Sequence, residues 1–299
     1  MAPRQRSASS EDEADSGYAS GCSTAGLPEV YFTRPHLKFL NQQLAKLDPR
    51  DVLKWCITSF PTLYQTSAFG LTGLAIMDMV DKLDFTLKPN IELIFIDTLY
   101  HFPQTLDLVE RVKQRYPNLI IHTFKPEGCE TTREFEEKHG MQLWEADEEK
   151  YDYVAKVEPA QRAYSQLNVD GVLTGRRRTQ GGKRGELDIL EAADDGLIKV
   201  NPLANWSFKQ VQAYIKENNV PTNDLLDQGY RSVGDWHSTQ PVTESEDERA
   251  GRWKGRNKTE CGIHNKRSRY AMFLADQEQK RQQELSEAIS NGLEIEASS

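Results

Sequence analysis

Apolar residues recur with a helical period where the folded part of the chain begins. Residues 35–47 and 49–59 both follow this period, and in the second range the apolar positions run i, i+3, i+4, i+7 from Leu53. Cys56 shares that apolar stripe, where a cysteine behaves as a small hydrophobic residue. The pattern predicts two helices, with Cys56 an inert thiol on the buried face of the second.

Short apolar runs and helical patterns then alternate along the chain. The stretch "TLYQTSAFGLTGLAIMDMV" is typical of a strand, a loop of small residues and a helix. Further strands are predicted at "IELIFIDT", "LIIHTF", "GVLTG" and "LIKVNPL", and helices at "PQTLDLVERVKQRY", near 131–139 and at "WSFKQVQAYIKEN". Strands that alternate with helices predict an α/β fold with a parallel sheet and right-handed crossovers.

Composition divides the chain into four segments. Residues 1–28 are rich in Ser, Gly and acids with almost nothing to bury, which predicts a disordered tail. The α/β pattern fills residues 29–226. Residues 227–264 begin with a charged, Gly-rich stretch that lacks a period, and we expect a mobile segment with few apolar anchors. Residues 265–299 are polar and helix-prone, which predicts a solvated helical extension.

Length, net charge and cysteine content limit the classes of function that the chain could have. The 299 residues carry a formal net charge of −9, which disfavours nucleic-acid binding because a phosphate backbone needs a broad basic surface. No apolar run is long enough to span a membrane. The four cysteines form no CxxC pair, so we expect reduced thiols in a cytoplasmic protein. A mitochondrial presequence is the alternative for the first residues, although the acids there oppose it.

Polar residues stand where several predicted strands end. In an open α/β sheet, ligands bind at the carboxyl ends of the strands, where loops and helix N-termini offer backbone N–H groups. Four places of this kind are the small-residue loop 67–73, the pair Asp97 and Thr98, the basic loop "TGRRRTQGGKRGE" and, less regularly, Lys156 in "KVEP".

The two loops also admit ordinary interpretations. A glycine-containing loop after a strand is common, and a run of basic residues is often a solvated surface. The glycines of the basic loop, however, allow close approach to a ligand, and its arginines bind phosphate or sulfate bidentately. The combination of the two loops therefore favours an anion-binding site.

A single thiol stands in a basic stretch near the C-terminus. Residues 252–269 contain seven Lys or Arg and His264, against one acid, Glu260. Cations lower the pKa of a thiol and attract anions, so Cys261 is the best candidate for a nucleophile. Cys129 is its rival because it stands near a predicted helix N-terminus, but the acids that follow it would repel an anionic substrate.

These residues fall in motifs that resemble the 3′-phosphoadenylyl sulfate (PAPS) reductases of sulfate assimilation, of the fungal type. The resemblance extends from about residue 30 to His264. It is carried by "TSAFGLTG", "FIDTLYHFPQT", "KVEP", "TGRRRTQGGKR", "NPLANWS", "ERAGRW" and the highly specific "KTECGIH". The first motif is similar to a modified PP-loop of ATP pyrophosphatases. The resemblance implies an adenine-nucleotide alpha-hydrolase-like (PP-loop) fold with a mobile C-terminal catalytic segment.

The resemblance also implies which residues bind the substrate. Ser67, Phe69 and Gly70 would hold the phosphate end of the nucleotide, with Asp97 and Thr98 nearby. The other substrate-binding residues, placed by the resemblance around the phosphosulfate and the 3′-phosphate, would be Lys156, Arg177, Gln180, Arg184, Arg249, Arg252 and His264.

The chemistry that the resemblance implies is covalent. Cys261 would attack the sulfonate sulfur, expel adenosine 3′,5′-bisphosphate and become Cys–S–SO₃⁻. Reduced thioredoxin would then attack this intermediate and release sulfite. The family also suggests a homodimer.

Related adenylyl sulfate reductases carry an iron–sulfur cluster on a Cys-Cys pair and a later CxxC, and this chain lacks both. The residues before "KVEP" read "DYVA", and Asp235, Trp236 and His237 stand at the later place. Such a cluster is held by four Cys thiolates. We therefore expect no cluster, no bound metal and no other cofactor.

Two other functions remain open from the residues. One is an ATP pyrophosphatase or nucleotidyltransferase of the same superfamily, which would need ATP and Mg²⁺ but not Cys261. The other is a nucleotide-binding module without catalysis, which would bind adenosine 3′,5′-bisphosphate and release no sulfite.

Overall fold

The computed structural model describes residues 32–83, 91–193, 196–255, 258, 260, 263 and 269–297. The chain divides into two units, Met1–Phe32 and Thr33–Ser299, and every element below belongs to the second. The tail predicted at 1–28 lies outside the described residues.

The described residues contain one six-stranded sheet in the order β3-β2-β1-β4-β6-β5. Its strands are β1 (Leu63–Thr66), β2 (Leu93–Ile96), β3 (Ile121–Phe124), β4 (Gly171–Leu173), β5 (Leu190–Ala192) and β6 (Ile198–Val200). All neighbours pair in parallel except β5, which runs antiparallel to β6. The predicted α/β fold with a parallel sheet is confirmed. The antiparallel edge strand β5 was not predicted from the sequence.

The centre of the sheet holds a change of direction in the chain. Gln65 of β1 lies opposite Leu93 of β2 on one side and opposite Leu173 of β4 on the other. The chain passes from β1 to β2 and β3 on one side, then returns to place β4 on the other side. The carboxyl ends of β1 and β4 therefore flank a topological switch point, where open α/β sheets bind their ligands.

The described part of the chain contains ten α-helices. They are α1 (Arg34–Leu44), α2 (Pro49–Ser59), α3 (Leu71–Asp81), α4 (Pro103–Arg115), α5 (Thr132–His139), α6 (Leu143–Ala146), α7 (Glu148–Asp152), α8 (Glu158–Gln166), α9 (Phe208–Glu217) and α10 (Arg269–Ala297). Thr33 and Asp48 cap the first two helices through their side chains, and each helix has a proline in its first turn. These caps explain why both helices begin close to the predicted positions.

The hydrophobic core lies between the sheet and the helices. Every residue of β2 is buried, and eight residues of α3, from Thr72 to Met79, are buried as well. A helix that is apolar on nearly all faces must lie inside the fold. Cys56 is fully buried on α2, as its apolar stripe predicts.

A continuous helical stretch replaces the strand end expected near Lys156. Helix α7 passes through a π-helical turn, Tyr153–Val157, into α8. The N–H of Glu158 bonds the carbonyl of Tyr153, five residues back, and Pro159 has no N–H with which to continue the ladder. The expectation that Lys156 follows a strand is wrong, because Lys156 lies in this π-helical turn.

The stretch 227–255 is better anchored than its composition suggests. Trp253 is only 4% exposed, and its backbone N–H donates to the carbonyl of Ser238 over 2.9 Å. A Cβ on Gly251 would lie 2.0 Å from the carbonyl oxygen of Gln240. The segments around these two residues therefore meet at a distance that only glycine allows. The expectation that few contacts anchor this stretch is wrong. That the segment is mobile stays a prediction.

The C-terminal extension is helical, as its composition predicts. Helix α10 covers 29 residues, and its first turns leave Met272 and Phe273 each 54% exposed. Within the described residues, no helix has the length and apolar character needed to cross a membrane.

Candidate functional site

A pocket of about 240 Å³ opens at the switch point between β1 and β4. The loop that follows β1 and the loop that follows β4 form two of its walls. The stretch around Arg231, the stretch around Arg249 and a few single residues such as Phe208 complete the lining. The pocket therefore lies where the fold alone predicts ligand binding.

The loop after β1 turns sharply into α3. Phe69 takes a left-handed backbone conformation with φ of 55°, and its N–H donates to Ser67 Oγ over 3.0 Å. Gly70 is the N-cap of α3 and offers no side chain to the first turn. Leu71, Thr72 and Gly73 of that first turn line the pocket, and the unpaired N–H groups and dipole of a helix N-terminus favour an anion.

Two glycines allow the walls to meet. A Cβ on Gly73 would lie 2.6 Å from Ser67 Oγ, and a Cβ on Gly175 would lie 3.0 Å from the backbone nitrogen of Gly73. The loop after β4 therefore touches the first turn of α3 without a side chain between them. This close approach brings the basic loop to the anion-binding end of the helix.

The pocket lining is strongly cationic. Six of the lining residues are arginines and one, Glu248, is acidic. The arginines are Arg176, Arg177, Arg184, Arg231, Arg249 and Arg252. Guanidinium groups in such numbers suit a ligand with several phosphate or sulfate oxygens.

Arg177 joins the two sides of the pocket. Its side chain is 2% exposed, and its Nε donates to Thr72 Oγ1 over 2.9 Å. Its Nη2 donates to both carboxylate oxygens of Glu248 over 2.6 and 2.7 Å. The guanidinium also lies over the ring of Phe208. Arg177 therefore fixes the stretch around Glu248 against the start of α3.

Arg184 holds a carboxylate from the motif that carries the candidate thiol. Its Nε and Nη2 donate to the two oxygens of Glu260 over 2.7 and 2.6 Å, and its Nη1 donates to Gln180. Arg249 Nη2 lies 3.5 Å from the same carboxylate. Burial opposes ionisation of Glu260, but hydrogen bonds from Arg184 and the charges of Arg184 and Arg249 outweigh it and lower the pKa.

Trp253 supports two of the pocket arginines. The guanidinium of Arg252 lies 4.6 Å from the centre of its ring, and that of Arg249 lies 5.7 Å from it. Arg252 Nη1 also donates to the carbonyl of Val233 over 3.1 Å. Cation–π contacts of this kind hold a guanidinium plane in place while its charge remains available.

Three predicted binding residues do not line the pocket. Asp97 accepts a hydrogen bond from the N–H of Leu99, and Thr98 is buried with its hydroxyl donating to Asp235 over 2.6 Å. Lys156 forms ion pairs with two carboxylates. The others that the structure describes are among the lining residues, namely Ser67, Phe69, Gly70, Arg177, Gln180, Arg184, Arg249 and Arg252.

Cys261 and His264, the candidate nucleophile and its neighbour, lie outside the described residues. Cys129 does lie near a helix N-terminus, just before the capping box of α5, but it is 2% exposed. Burial raises the pKa of the Cys129 thiol and also that of the Cys56 thiol. Neither of these two thiols is disposed to act as a thiolate.

Within the described residues, no group of three or more His, Cys, Asp or Glu is arranged to hold a metal ion. Asp235 and His237, which stand where the related reductases have a CxxC, lie in an aromatic and ionic environment. The imidazole of His237 stacks on Trp144 with ring centres 4.2 Å apart.

Several lining residues were not singled out from the sequence. They include Phe208, Asn223, Tyr230, Arg231 and Glu248. Phe208 belongs to the predicted helix α9, and Arg231 lies in the stretch without a period, so neither stands out locally. Their positions depend on contacts between distant parts of the chain, for which a single sequence carries no local signal.

Comparison with known proteins points to one family. A phosphoadenosine phosphosulfate reductase domain matches residues 62–241. The phosphoadenosine phosphosulfate reductase of Emericella nidulans is 63% identical over 284 residues, which cover 94% of this chain and 93% of that protein. The protein of the same name from Saccharomyces cerevisiae is 54% identical over 251 residues, which cover 82% of this chain and 95% of that protein.

A solved structure agrees with the sequence relatives. The crystal structure of phosphoadenylyl-sulfate (PAPS) reductase from Candida auris, in a phosphate complex, superposes with a TM-score of 0.65 at 50% identity. The match covers 71% of this chain and 100% of that one. The resemblance inferred from the motifs is confirmed, and this chain belongs to the phosphoadenosine phosphosulfate reductase family.

Proposed function

We propose that this chain reduces 3′-phosphoadenylyl sulfate to sulfite and adenosine 3′,5′-bisphosphate in sulfate assimilation. The observation that carries the proposal is the convergence of six arginines on a pocket beside the N-terminus of α3. A nucleotide with a phosphosulfate and a 3′-phosphate carries several negative charges, which a chain of net charge −9 can hold only with a local concentration of cations. The relatives whose names describe this reaction align with this chain over most of their own length.

The binding roles follow the geometry of the pocket. Ser67, Phe69, Gly70 and the first turn of α3 would hold the phosphate end of the nucleotide. The basic side of the substrate-binding site would comprise Arg177, Gln180, Arg184, Arg249, Arg252 and His264. Asp97, Thr98 and Lys156 would act from behind the pocket lining rather than on the nucleotide.

The first chemical step would use the thiolate of Cys261. Its sulfur forms a bond with the sulfur of the sulfonate, and the bond from that sulfur to the bridging phosphate oxygen breaks. Adenosine 3′,5′-bisphosphate leaves with the electron pair, and Cys261 becomes Cys–S–SO₃⁻. Attack by an anion on an anionic group is repulsive unless cations neutralise it, and the pocket arginines meet that need.

The second step would use an external dithiol, for which we propose reduced thioredoxin. One thioredoxin thiolate attacks the Cys261 sulfur, sulfite leaves with the electron pair, and a mixed disulfide forms. The second thioredoxin thiol resolves that disulfide and restores Cys261, so the dithiol supplies two electrons and becomes a disulfide. We propose that the enzyme works as a cytoplasmic homodimer without an iron–sulfur cluster or other cofactor.

Sulfite release from PAPS in the presence of reduced thioredoxin tests this proposal. We expect Cys261→Ser to abolish sulfite production and Cys129→Ser to retain it, since burial keeps the Cys129 thiol protonated. Pyrophosphate release from ATP with Mg²⁺, without sulfite from PAPS, would favour the nucleotidyltransferase or pyrophosphatase alternative. Nucleotide binding with neither reaction would favour the non-catalytic module.

The 3′-phosphate distinguishes PAPS from adenylyl sulfate as the substrate. We expect adenosine 3′,5′-bisphosphate to bind more tightly than adenosine 5′-phosphate, because the extra phosphate meets further arginines. Isothermal titration of the two nucleotides measures the difference. Equal affinities would contradict the choice of PAPS and favour adenylyl sulfate.

A further inference from the structure

Four side chains of alternating charge form a connected series behind the pocket, which we call the charge chain. Lys258 Nζ lies 2.5 Å from Asp152 Oδ2, and the other oxygen of Asp152 lies 3.1 Å from Lys156 Nζ. Lys156 Nζ in turn lies 2.9 Å from Asp235 Oδ2. The charge chain thus joins a residue of the "KTECGIH" motif to the end of α7, the π-helical turn and the 227–255 stretch.

The charge chain is shielded from water over its whole length. The side chains of Lys258 and Asp152 are each 13% exposed, that of Lys156 is 8% exposed and that of Asp235 is 3% exposed. Attraction between charges is screened much less in such an environment than at the surface. The series is therefore a stronger connection than an exposed ion pair, which contributes little.

The inner end of the charge chain is fixed by neutral donors. The hydroxyl of Thr98 donates to Asp235 Oδ1 over 2.6 Å, and the hydroxyl of Tyr151 donates to Asp235 Oδ2 over 3.1 Å. Burial opposes the charge of Asp235, but the charge of Lys156, the nearby His101 and His237 and the hydrogen bond from Thr98 outweigh it and lower the pKa of this carboxyl group. Asp235 therefore stays ionised and keeps its ion pair with Lys156.

The outer end of the charge chain leads to the pocket. Lys258 also lies 3.2 Å from Glu148 of α7, and two residues further on Glu260 is held by the pocket residue Arg184. Cys261 follows Lys258 by three residues, which limits their separation to about 10 Å of extended chain. Two residues of the motif are therefore held by ion pairs, Lys258 by Asp152 and Glu260 by Arg184.

We infer that the charge chain positions the "KTECGIH" motif at the pocket, with Lys258 and Asp152 as positioning residues for the reaction of Cys261. This inference rests on the proposed function for the identity of the reacting group. The ion pair with Asp152 fixes the position of Lys258, which is close to Cys261 in sequence. Neither side chain lines the pocket, so their loss should lower the rate of sulfonate transfer and leave nucleotide affinity in place.

The network tolerates removal of its outer members. Lys258→Met leaves Asp152 paired with Lys156, and Asp152→Asn leaves Lys156 paired with Asp235. Neither variant strands an unpaired charge in the interior, which is the change that destabilises a fold most. Both proteins are therefore expected to fold.

The test compares Lys258→Met and Asp152→Asn with a matched control in the same stretch. Lys254→Met removes a lysine four positions earlier, whose side chain is 49% exposed and pairs with Glu246 over 3.3 Å. We expect both charge-chain variants to lower kcat for sulfite release at least about tenfold, because a misplacement of about 1 Å can cost two orders of magnitude. The Kd for adenosine 3′,5′-bisphosphate should stay within about threefold of wild type, and Lys254→Met should leave both quantities unchanged.

Two further readouts separate positioning from general structure. Lys258→Arg keeps the charge and should restore most of kcat, whereas the double variant Asp152→Asn/Lys258→Met should be no slower than either single variant, since both cut the same connection. Backbone amides around Lys258 should exchange faster in Lys258→Met and not in Lys254→Met. The exchange measurement requires no substrate and reports on the connection even if wild-type protein releases no sulfite, a result that would refute the proposed function instead.

Three results would overturn the inference. The first is unchanged kcat and unchanged exchange in Lys258→Met. The second is an equal loss in Lys258→Met and Lys254→Met, which would indicate only a general charge effect. The third is a loss of nucleotide affinity that matches the loss of kcat, which would place Lys258 on the substrate.

Discussion

Arg184 and Glu260 face each other in a bidentate ion pair, with Nε–Oε1 and Nη2–Oε2 distances of 2.7 and 2.6 Å. Arg184 lines the pocket, and Glu260 immediately precedes Cys261 in the chain. The carboxylate of Glu260 thus pairs with a guanidinium that, in our proposal, binds the anionic substrate. We therefore expect nucleotide binding and the position of Glu260 to be coupled through this pair.

Glu260→Gln should strengthen nucleotide binding. The substitution removes the charge that competes for Arg184, so the Kd for adenosine 3′,5′-bisphosphate should fall by about threefold, a modest effect because Glu260 is 34% exposed. Titration calorimetry measures this, with Glu246→Gln as the control. A weaker or unchanged affinity would show that Glu260 does not compete with the nucleotide.

The effect of Glu260→Gln should not depend on pH between about 6 and 8. The pKa of Glu260 is lowered in the folded protein, so the ion pair is fully present above the ordinary carboxyl pKa. The contribution is lost only as the pH falls through the lowered folded value. A ratio of affinities that changes across this range would point to a different titrating group.

Arg177→Ala and Arg184→Ala should fail in different ways. Arg177 is 1% exposed, and its loss leaves Glu248 buried without its bidentate partner, which should cost about 3–5 kcal/mol and lower Tm by about 10 °C. Arg184→Ala should keep Tm close to wild type and weaken nucleotide binding by about 1–3 kcal/mol. Thermal melts and titrations of both variants make the comparison, and equal melting temperatures would contradict the structural role of Arg177.

Gly73→Ala should damage the pocket while the fold persists. The added Cβ would lie 2.6 Å from Ser67 Oγ, so the loop that bends into α3 must shift. We expect the affinity for adenosine 3′,5′-bisphosphate to fall about tenfold, or about 1.4 kcal/mol. Gly185→Ala is the matched control, since its Cβ would meet nothing closer than 3.6 Å. Equal affinities of the two variants would show that the loop adapts.

Local patterns in the sequence were sufficient for the elements that build the pocket. The apolar run of β1, the small residues of 67–73 and the buried face of α3 each have a period or a composition that is visible in one short window. The basic loop was also correctly placed after a strand. Position in a parallel sheet then brings these two loops together, since β1 and β4 are neighbours.

Long-range ion pairs could not be predicted from the same windows. Glu248 and Glu260 lie far along the chain from the arginines that they bind, and no period connects them. Lys156 was predicted to follow a strand, whereas it lies in the π-helical turn that leads into α8. The 227–255 stretch has few apolar residues, yet the buried Trp253 and the close approach of Gly251 to Gln240 anchor it.

The most direct test of the proposed mechanism is the state of Cys261 after one turnover without reductant. Reduced protein is incubated with PAPS alone, and intact mass and peptide mapping are then measured. We predict one sulfonate per chain, on Cys261, which reduced thioredoxin removes with release of an equal amount of sulfite. Unmodified protein, or prompt sulfite release with a disulfide between Cys261 and the buried Cys129, would contradict the mechanism.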